Sequence, residues 1–209
     1  MKIVVFGASR GIGFEVIKQA LDAGHTVTAF VRSPEKFMLN HVNLSICQGD
    51  SMDAVAVERA VAGQDVVISA LGPTRPPVPG MMEASARNIV AAMKKHGVPR
   101  LVSTTGAGVR QPEDHPKLID LLIGLLLNVL AKNVVLDSAA NVRVIQSSDL
   151  DWTVVRFPRL NDGEHTRKYR VGYVGNDSGT QLSRADGADF ILKELLEKKW
   201  LRKLPIVSY

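Results

Sequence analysis

A single cysteine, Cys47, leaves this chain of 209 residues without any internal disulfide. Cys47 sits in the apolar run Leu44 to Cys47, which reads as a buried strand with the thiol as a small core group. No apolar stretch is long enough for a bilayer: the most leucine-rich one, Leu118 to Leu130, falls short of a span, so no membrane is expected as a partner. Internal repeats and low-complexity tracts are missing too, which excludes solenoid and disordered classes. The formal charge is +5, yet no nucleic-acid reader motif accompanies it. The basic residues are dispersed, and their densest group, Lys193, Lys198, Lys199, Arg202 and Lys203, closes a helical pattern where cations suit the dipole. Nucleic acid is therefore not expected as a partner, and no residues are assigned to a metal. The first strand opens at Lys2, which leaves no room for a targeting peptide ahead of it, and the expectation is a cytoplasmic, reducing compartment.

What is present is ordinary for a globular protein: 45% hydrophobic and 22% charged residues, enough to fill one core. A single domain over residues 1–209 is expected. Short apolar, often β-branched runs at Ile3–Phe6, Thr26–Val31, Leu44–Cys47, Val66–Ser69, Leu101–Thr104 and Thr153–Val155 suit strands covered on both faces. Between them lie helical patterns near Ile12–Ala23, Met52–Val61, Met81–His96 and Val134–Ser147. This alternation predicts an α/β fold with a doubly wound parallel sheet and right-handed crossovers. Gly24 and Gly97 stand as helix stops, and Ser33 before Pro34 reads as a hydroxyl cap. The proline-rich stretch Gly72 to Gly80 is a loop at a strand's carboxyl end, where open α/β sheets hold ligands. A helical insertion at 109–132 follows strand five. Its leucine-rich part, 118–130, is favoured as buried or pocket-lining, with a partner protein or a second copy as the other reading.

The first strand runs straight into Gly7-Ala8-Ser9-Arg10-Gly11-Ile12-Gly13, and helical periodicity follows. Strand, glycine-rich turn and helix start in that order form a dinucleotide site of the Rossmann type: glycines let the backbone approach a diphosphate, and the helix start offers free N–H groups. Choice of nucleotide is made at the end of the second strand, where an acidic residue would hold the ribose of NAD. Here stand Arg32 and Ser33. Arg32 suits a 2'-phosphate, with Arg10 approaching from the first loop, so NADP is the expected cofactor. Gly49 and Asp50, followed by Ser51, close the third strand beside the adenine position, and Asp50 has the alternative of capping the helix that begins near Met52.

Together with Ser69-Ala70-Leu71-Gly72, the helix Ala86 to Lys94 and Arg156-Phe157-Pro158-Arg159-Leu160, these motifs resemble the extended and atypical short-chain dehydrogenase/reductases. The similarity is greatest to their NAD(P)H-binding, NmrA-like branch and, from Gly63 through Val98, to the flavin reductase or biliverdin-IXβ reductase group. It covers nearly the whole chain. The resemblance implies that Ala70, Leu71 and Gly72 pack along the cofactor, that Pro158, Arg159 and Leu160 touch its nicotinamide end, and that Ser183 caps the last helix. The chain departs from the tyrosine-dependent branch: Tyr169 and Tyr173 are followed four positions on by Tyr173 and Asp177, and no Tyr-x-x-x-Lys pair exists. It departs from the flavin reductase group as well, since Gly106 stands where a serine is expected. Thr104, Thr105 or Ser103 is left to supply the hydroxyl, with Thr104 and Thr105 as the candidate catalytic residues and backbone satisfaction at the strand end as an equal reading.

The expected activity is an NADPH-dependent reductase passing hydride to a flat conjugated small-molecule acceptor such as a flavin or tetrapyrrole. The alternative is a non-catalytic NADP(H)-binding redox sensor or regulatory protein. A sugar-nucleotide epimerase has little support without the tyrosine and lysine.

Overall fold

Strand β1 (Lys2–Phe6) alternates its side chains between two apolar layers. In the computed structural model, Ile3 and Val5 join one core cluster while Val4 and Phe6 join the other, all fully buried. Residues 1–74, 76–118, 121–122, 131–175 and 178–209 are described here. Strands β2 (Thr26–Val31), β3 (Leu44–Gln48), β4 (Val66–Ser69), β5 (Arg100–Gly106) and β6 (Asp151–Phe157) extend the sheet in the order 3-2-1-4-5-6, each neighbour parallel. The chain goes from β1 outward to β3, then returns to the other side of β1 with β4. That reversal opens a crevice at the carboxyl ends of β1 and β4.

Helices cover both faces. On one, α1 (Gly11–Asp22) packs with α5 (Arg184–Glu197); on the other, α2 (Ala54–Val61), α3 (Met81–His96) and α4 (Lys132–Gln146) lie side by side. The doubly wound Rossmann architecture expected from the alternation is thus the one observed. Four short strands add to it. β10 (Ile206–Ser208) pairs parallel with β6, and β8 (Arg170–Gly172) pairs antiparallel with β10. β7 (Arg159–Asn161) and β9 (Gln181–Ser183) form a separate parallel pair. The sheet is therefore mostly parallel, with an antiparallel edge strand.

Several local expectations are corrected. β3 is an edge strand with no residue fully buried, and Cys47 is half-buried; among the described residues nothing pairs on its outer side. α2 starts at Ala54 with Asp53 as its cap, accepting from the N–H groups of Val55 and Ala56; Asp50 instead accepts from Met52 N at 2.8 Å in the preceding turn. Ser33 precedes only a single 3-10 turn, Pro34–Lys36, and its hydroxyl makes no capping bond. α5 ends at Glu197 with no basic residue in its last turn: Lys193 faces Asp189 and Lys203 lies over the Trp200 ring. Gly97 stops α3 in the left-handed conformation, and Gly24 follows α1 in the same way.

Of the leucine-rich segment, residues 119–120 and 123–130 lie outside the described residues, and so does the expectation made for them; Leu118, Leu121 and Leu122 are exposed. Among the described residues no helix is long and apolar enough to cross a membrane.

Candidate active site

The turn after β1 is shaped by steric necessity. Gly7 has φ +77° and lies so close to the Ala70 carbonyl that a Cβ there has no room. Gly13 lies equally close to the Gly7 carbonyl, with the Ala70 methyl 3.1 Å from where its own Cβ would be. These two glycines let β1, the start of α1 and the end of β4 close on one another. Helix α1 then begins without a side-chain cap and without an acidic residue in its first turn, so its leading N–H groups and positive dipole end face the groove unopposed.

The groove so formed has a volume of about 750 Å³. Residues expected at the cofactor meet there: Gly7, Ser9, Arg10, Gly11 and Ile12 from the first turn, Arg32 just after β2, Asp50 and Ser51 after β3, Ala70, Leu71 and Gly72 after β4, and Leu160. Gly13 lies beneath as the packing residue just described. Ser33 is not on the wall. Ser51 is buried: its hydroxyl accepts from Ser85 at 2.8 Å, and its carbonyl accepts from Asn88. Among the described residues, neither Arg10 nor Arg32 has an ion-pair partner, and both are exposed. The groove thus has unopposed positive charge at the end of β2 and amide donors at the end of β1, a donor set that fits a dinucleotide carrying a diphosphate and a further phosphate. The wall also includes Arg184 and Asp162, which sequence reasoning did not reach.

A second cavity of about 610 Å³ opens past the ends of β5 and β6. Gly106, Ala107, Arg110, Phe157, Pro158 and Arg159 line one side, and Val174, Ser178, Gly179, Thr180 and Gln181 close the other. Of the trio expected at the nicotinamide end, Pro158 and Arg159 line this pocket and Leu160 lines the groove, so the first residues of β7 stand between the two cavities. Thr104 is buried, Thr105 is half-buried, and neither is on either wall; Gly106, next in the strand, is.

Arg156, fully buried on β6, lies behind the second pocket, whose lining includes its partner Asp114. Its guanidinium donates to both Asp114 carboxylate oxygens, at 2.6 and 2.8 Å, and to the carbonyls of Leu204 and Val109. Asp114 also accepts from the N–H groups of Gln111 and Val174. Burial would raise the Asp114 pKa, but the Arg156 hydrogen bonds and charge and the two backbone donors hold it below the usual carboxylate range. An arginine inside the apolar run of β6 was the legible signal for this pair, since a buried charge needs a partner; what it pairs with was not legible.

No tyrosine lines either cavity. The Tyr169 hydroxyl donates to Asp189 at 2.6 Å, and burial and that carboxylate push its pKa up, away from acid–base use. The Tyr209 hydroxyl donates to Asp186, and the Tyr173 ring stands edge-on to Trp200.

A profile of NAD(P)H-binding proteins matches residues 7–198, which include the groove-forming turn and both helices of the α1/α5 face. The chain belongs to this NAD(P)H-binding family. Similar proteins include the 2-alkyl-3-oxoalkanoate reductase of Stenotrophomonas maltophilia (strain K279a), 33% identical over 94% of this chain and 66% of that protein; the chain thus spans just under two thirds of this relative's length. Two solved structures share this fold over the whole chain. One is a wide-type short-chain dehydrogenase/reductase from Veillonella parvula in complex with NADP, with a TM-score of 0.82 and 19% identity, covering 100% of this chain and 94% of that one. The other is ChuY, an anaerobillin reductase from Escherichia coli O157:H7, with a TM-score of 0.82 and 20% identity, covering 100% and 97%.

Proposed function

We propose that this NAD(P)H-binding protein is an NADPH-dependent reductase of a flat, conjugated acceptor such as a flavin or tetrapyrrole, working without the tyrosine–lysine pair. The observation that carries the reading is the pair of cavities divided by β7: a groove with uncapped helix donors and unpaired arginines, and beside it a pocket with apolar and arginine walls. In this reading the first-turn amides of α1 hold the diphosphate, and Arg32 with Arg10 holds the 2'-phosphate through charge-assisted hydrogen bonds. Bound there, NADPH supplies the hydride that the acceptor takes up. Pro158 and Arg159 shape the acceptor side, with Arg159 placed to meet an anionic group, while the Arg156–Asp114 pair keeps the pocket's loops in position.

Reduction of an isolated ketone needs a proton delivered to the developing alkoxide, and no tyrosine stands near to give it. A conjugated acceptor spreads the added charge over its ring system, which relaxes that demand. The relative named for 2-alkyl-3-oxoalkanoates and the neighbour named for anaerobillin carry reductase names with different acceptors, in keeping with a pocket that varies on a constant sheet. Thr105, adjoining Gly106 on the pocket wall, is proposed as the nearer proton source, with Thr104 behind it. Thr105→Val lowers turnover without changing the KM for NADPH if this holds; unchanged turnover assigns the proton to solvent.

The test is NADPH oxidation with FMN, FAD, biliverdin and a 2-alkyl-3-oxoalkanoate as acceptors, with NADH in parallel. Turnover with a conjugated acceptor, faster with NADPH, is the expected result. Turnover confined to the oxoalkanoate overturns the acceptor class, and tight NADPH binding with no consumption across the panel favours the sensor reading.

A further inference from the structure

The amino ends of α1 and α5 meet at the groove. At Gly187 a Cβ would come within 2.7 Å of Ile12 Cδ1 and 3.2 Å of the Phe157 ring, so glycine there lets α5 settle close against α1. Gln19 of α1 donates to the Ala185 carbonyl at 2.8 Å, and the Ser183 hydroxyl caps α5 by accepting from Asp186 N at 3.0 Å. Arg184 is fixed between these two anchors. Its Nε lies 3.7 Å from the point a Cβ on Gly11 would occupy, which sets the guanidinium beside the uncapped start of α1.

In this structure Arg184 Nη1 pairs with Asp162 Oδ1 at 2.5 Å, the arginine side chain 28% and the aspartate 89% exposed. Both residues line the groove. An ion pair whose acid is open to solvent contributes little, so a diphosphate of higher charge that also takes the α1 amides competes with Asp162 on favourable terms.

We propose that Arg184 binds the cofactor's diphosphate, leaving Asp162 to do so, and that Asp162 is a competing carboxylate that parks the guanidinium at the groove's rim. This rests on the reading of the groove as the NADP(H) site and adds a third arginine to it, one that senses the diphosphate rather than the 2'-phosphate. Arg184 therefore serves NADP and NAD alike, whereas Arg32 separates them.

The experiment is calorimetric titration of the wild type, Arg184→Gln, Arg184→Lys, Asp162→Asn and the Gln/Asn double variant with NADP+ and with adenosine 2'-monophosphate, which lacks the diphosphate. Arg184→Gln is expected to weaken NADP+ roughly tenfold, the scale of one hydrogen bond to a charged group, and to leave adenosine 2'-monophosphate unchanged. Arg184→Lys, which keeps the cation, recovers part of the loss. Asp162→Asn tightens NADP+ by about threefold, the scale of an exposed ion pair, and the double variant shows no such gain. The proposal is overturned if Arg184→Gln leaves NADP+ unchanged or weakens both ligands equally, or if Asp162→Asn weakens NADP+. A wild type that is folded and binds neither ligand fails the groove reading itself, a result distinct from these.

Discussion

Arg156 is the residue on which the second pocket depends most. Its side chain has no exposed surface and that of Asp114 only 3%, so removing one partner leaves a charge buried without compensation. Asp114→Asn is expected to cost about 3 kcal/mol of stability, near the lower end for breaking a buried pair, and to raise the acceptor KM more than the NADPH KM; denaturant melts and steady-state kinetics check both. Arg32 belongs at the other end of the site, exposed and without an ion-pair partner among the described residues. Arg32→Asp is expected to weaken NADP+ by about a hundredfold, as a charge-assisted contact is replaced by repulsion, while NAD+ changes little; equal changes reject the assignment. Residue chemistry was legible in the sequence where the chain itself brings groups together, as in the turn from Gly7 to Gly13. Arg184 and Asp162 were not legible, because 173 positions separate Arg184 from Gly11 and only the packing of α5 on α1 joins them.

At the scale of elements, the close approach of β1, α1 and β4 is the feature that builds the groove. Gly13→Ala places a methyl against the Gly7 carbonyl and the Ala70 side chain, and is expected to cost about 2 kcal/mol, as overpacking does, with loss of nucleotide affinity as the turn is displaced. A variant with wild-type melting and affinity would contradict the steric account. The helix α3 matches its expected bounds, Met81–His96, because its pattern, its Gly97 stop and its length all agree. β7, β8, β9 and β10 have three residues each, too few for periodicity to register, and β10 is placed by pairing with β6 and β8 rather than by its own sequence. The edge position of β3 escaped notice for a related reason: an apolar run tells that a strand forms, not which strands flank it.

For the whole molecule, acid sensitivity follows from its buried carboxylates. Burial favours the neutral form of Asp186, but hydrogen bonds from Thr166, Arg167 N and Tyr209 hold its pKa below the ordinary value, and Tyr169, Lys193 and His165 do the same for Asp189 against its own burial. With Asp114 these are groups whose folded pKa is depressed. Their stabilisation is complete above the unfolded value of about 4 and is lost as pH falls through the lower folded values. Thermal melts are expected to hold steady from neutral pH to about pH 5 and to fall steeply below about pH 4, with a shallower fall in Asp186→Asn, whose starting stability is lower. A melting temperature that rises on acidification would contradict this. Asp114 is held by Arg156 of β6, while Asp186 and Asp189 sit on α5, so acid acts on two separate clusters at once.

The most direct measurement is titration of the folded wild-type protein with NADP+ and NAD+ by calorimetry, with a melting curve on the same sample. The account predicts one NADP+ per chain, bound at least about tenfold more tightly than NAD+, as a phosphate-reading arginine requires. No heat and no melting shift with either nucleotide, from protein that melts cooperatively, would contradict it.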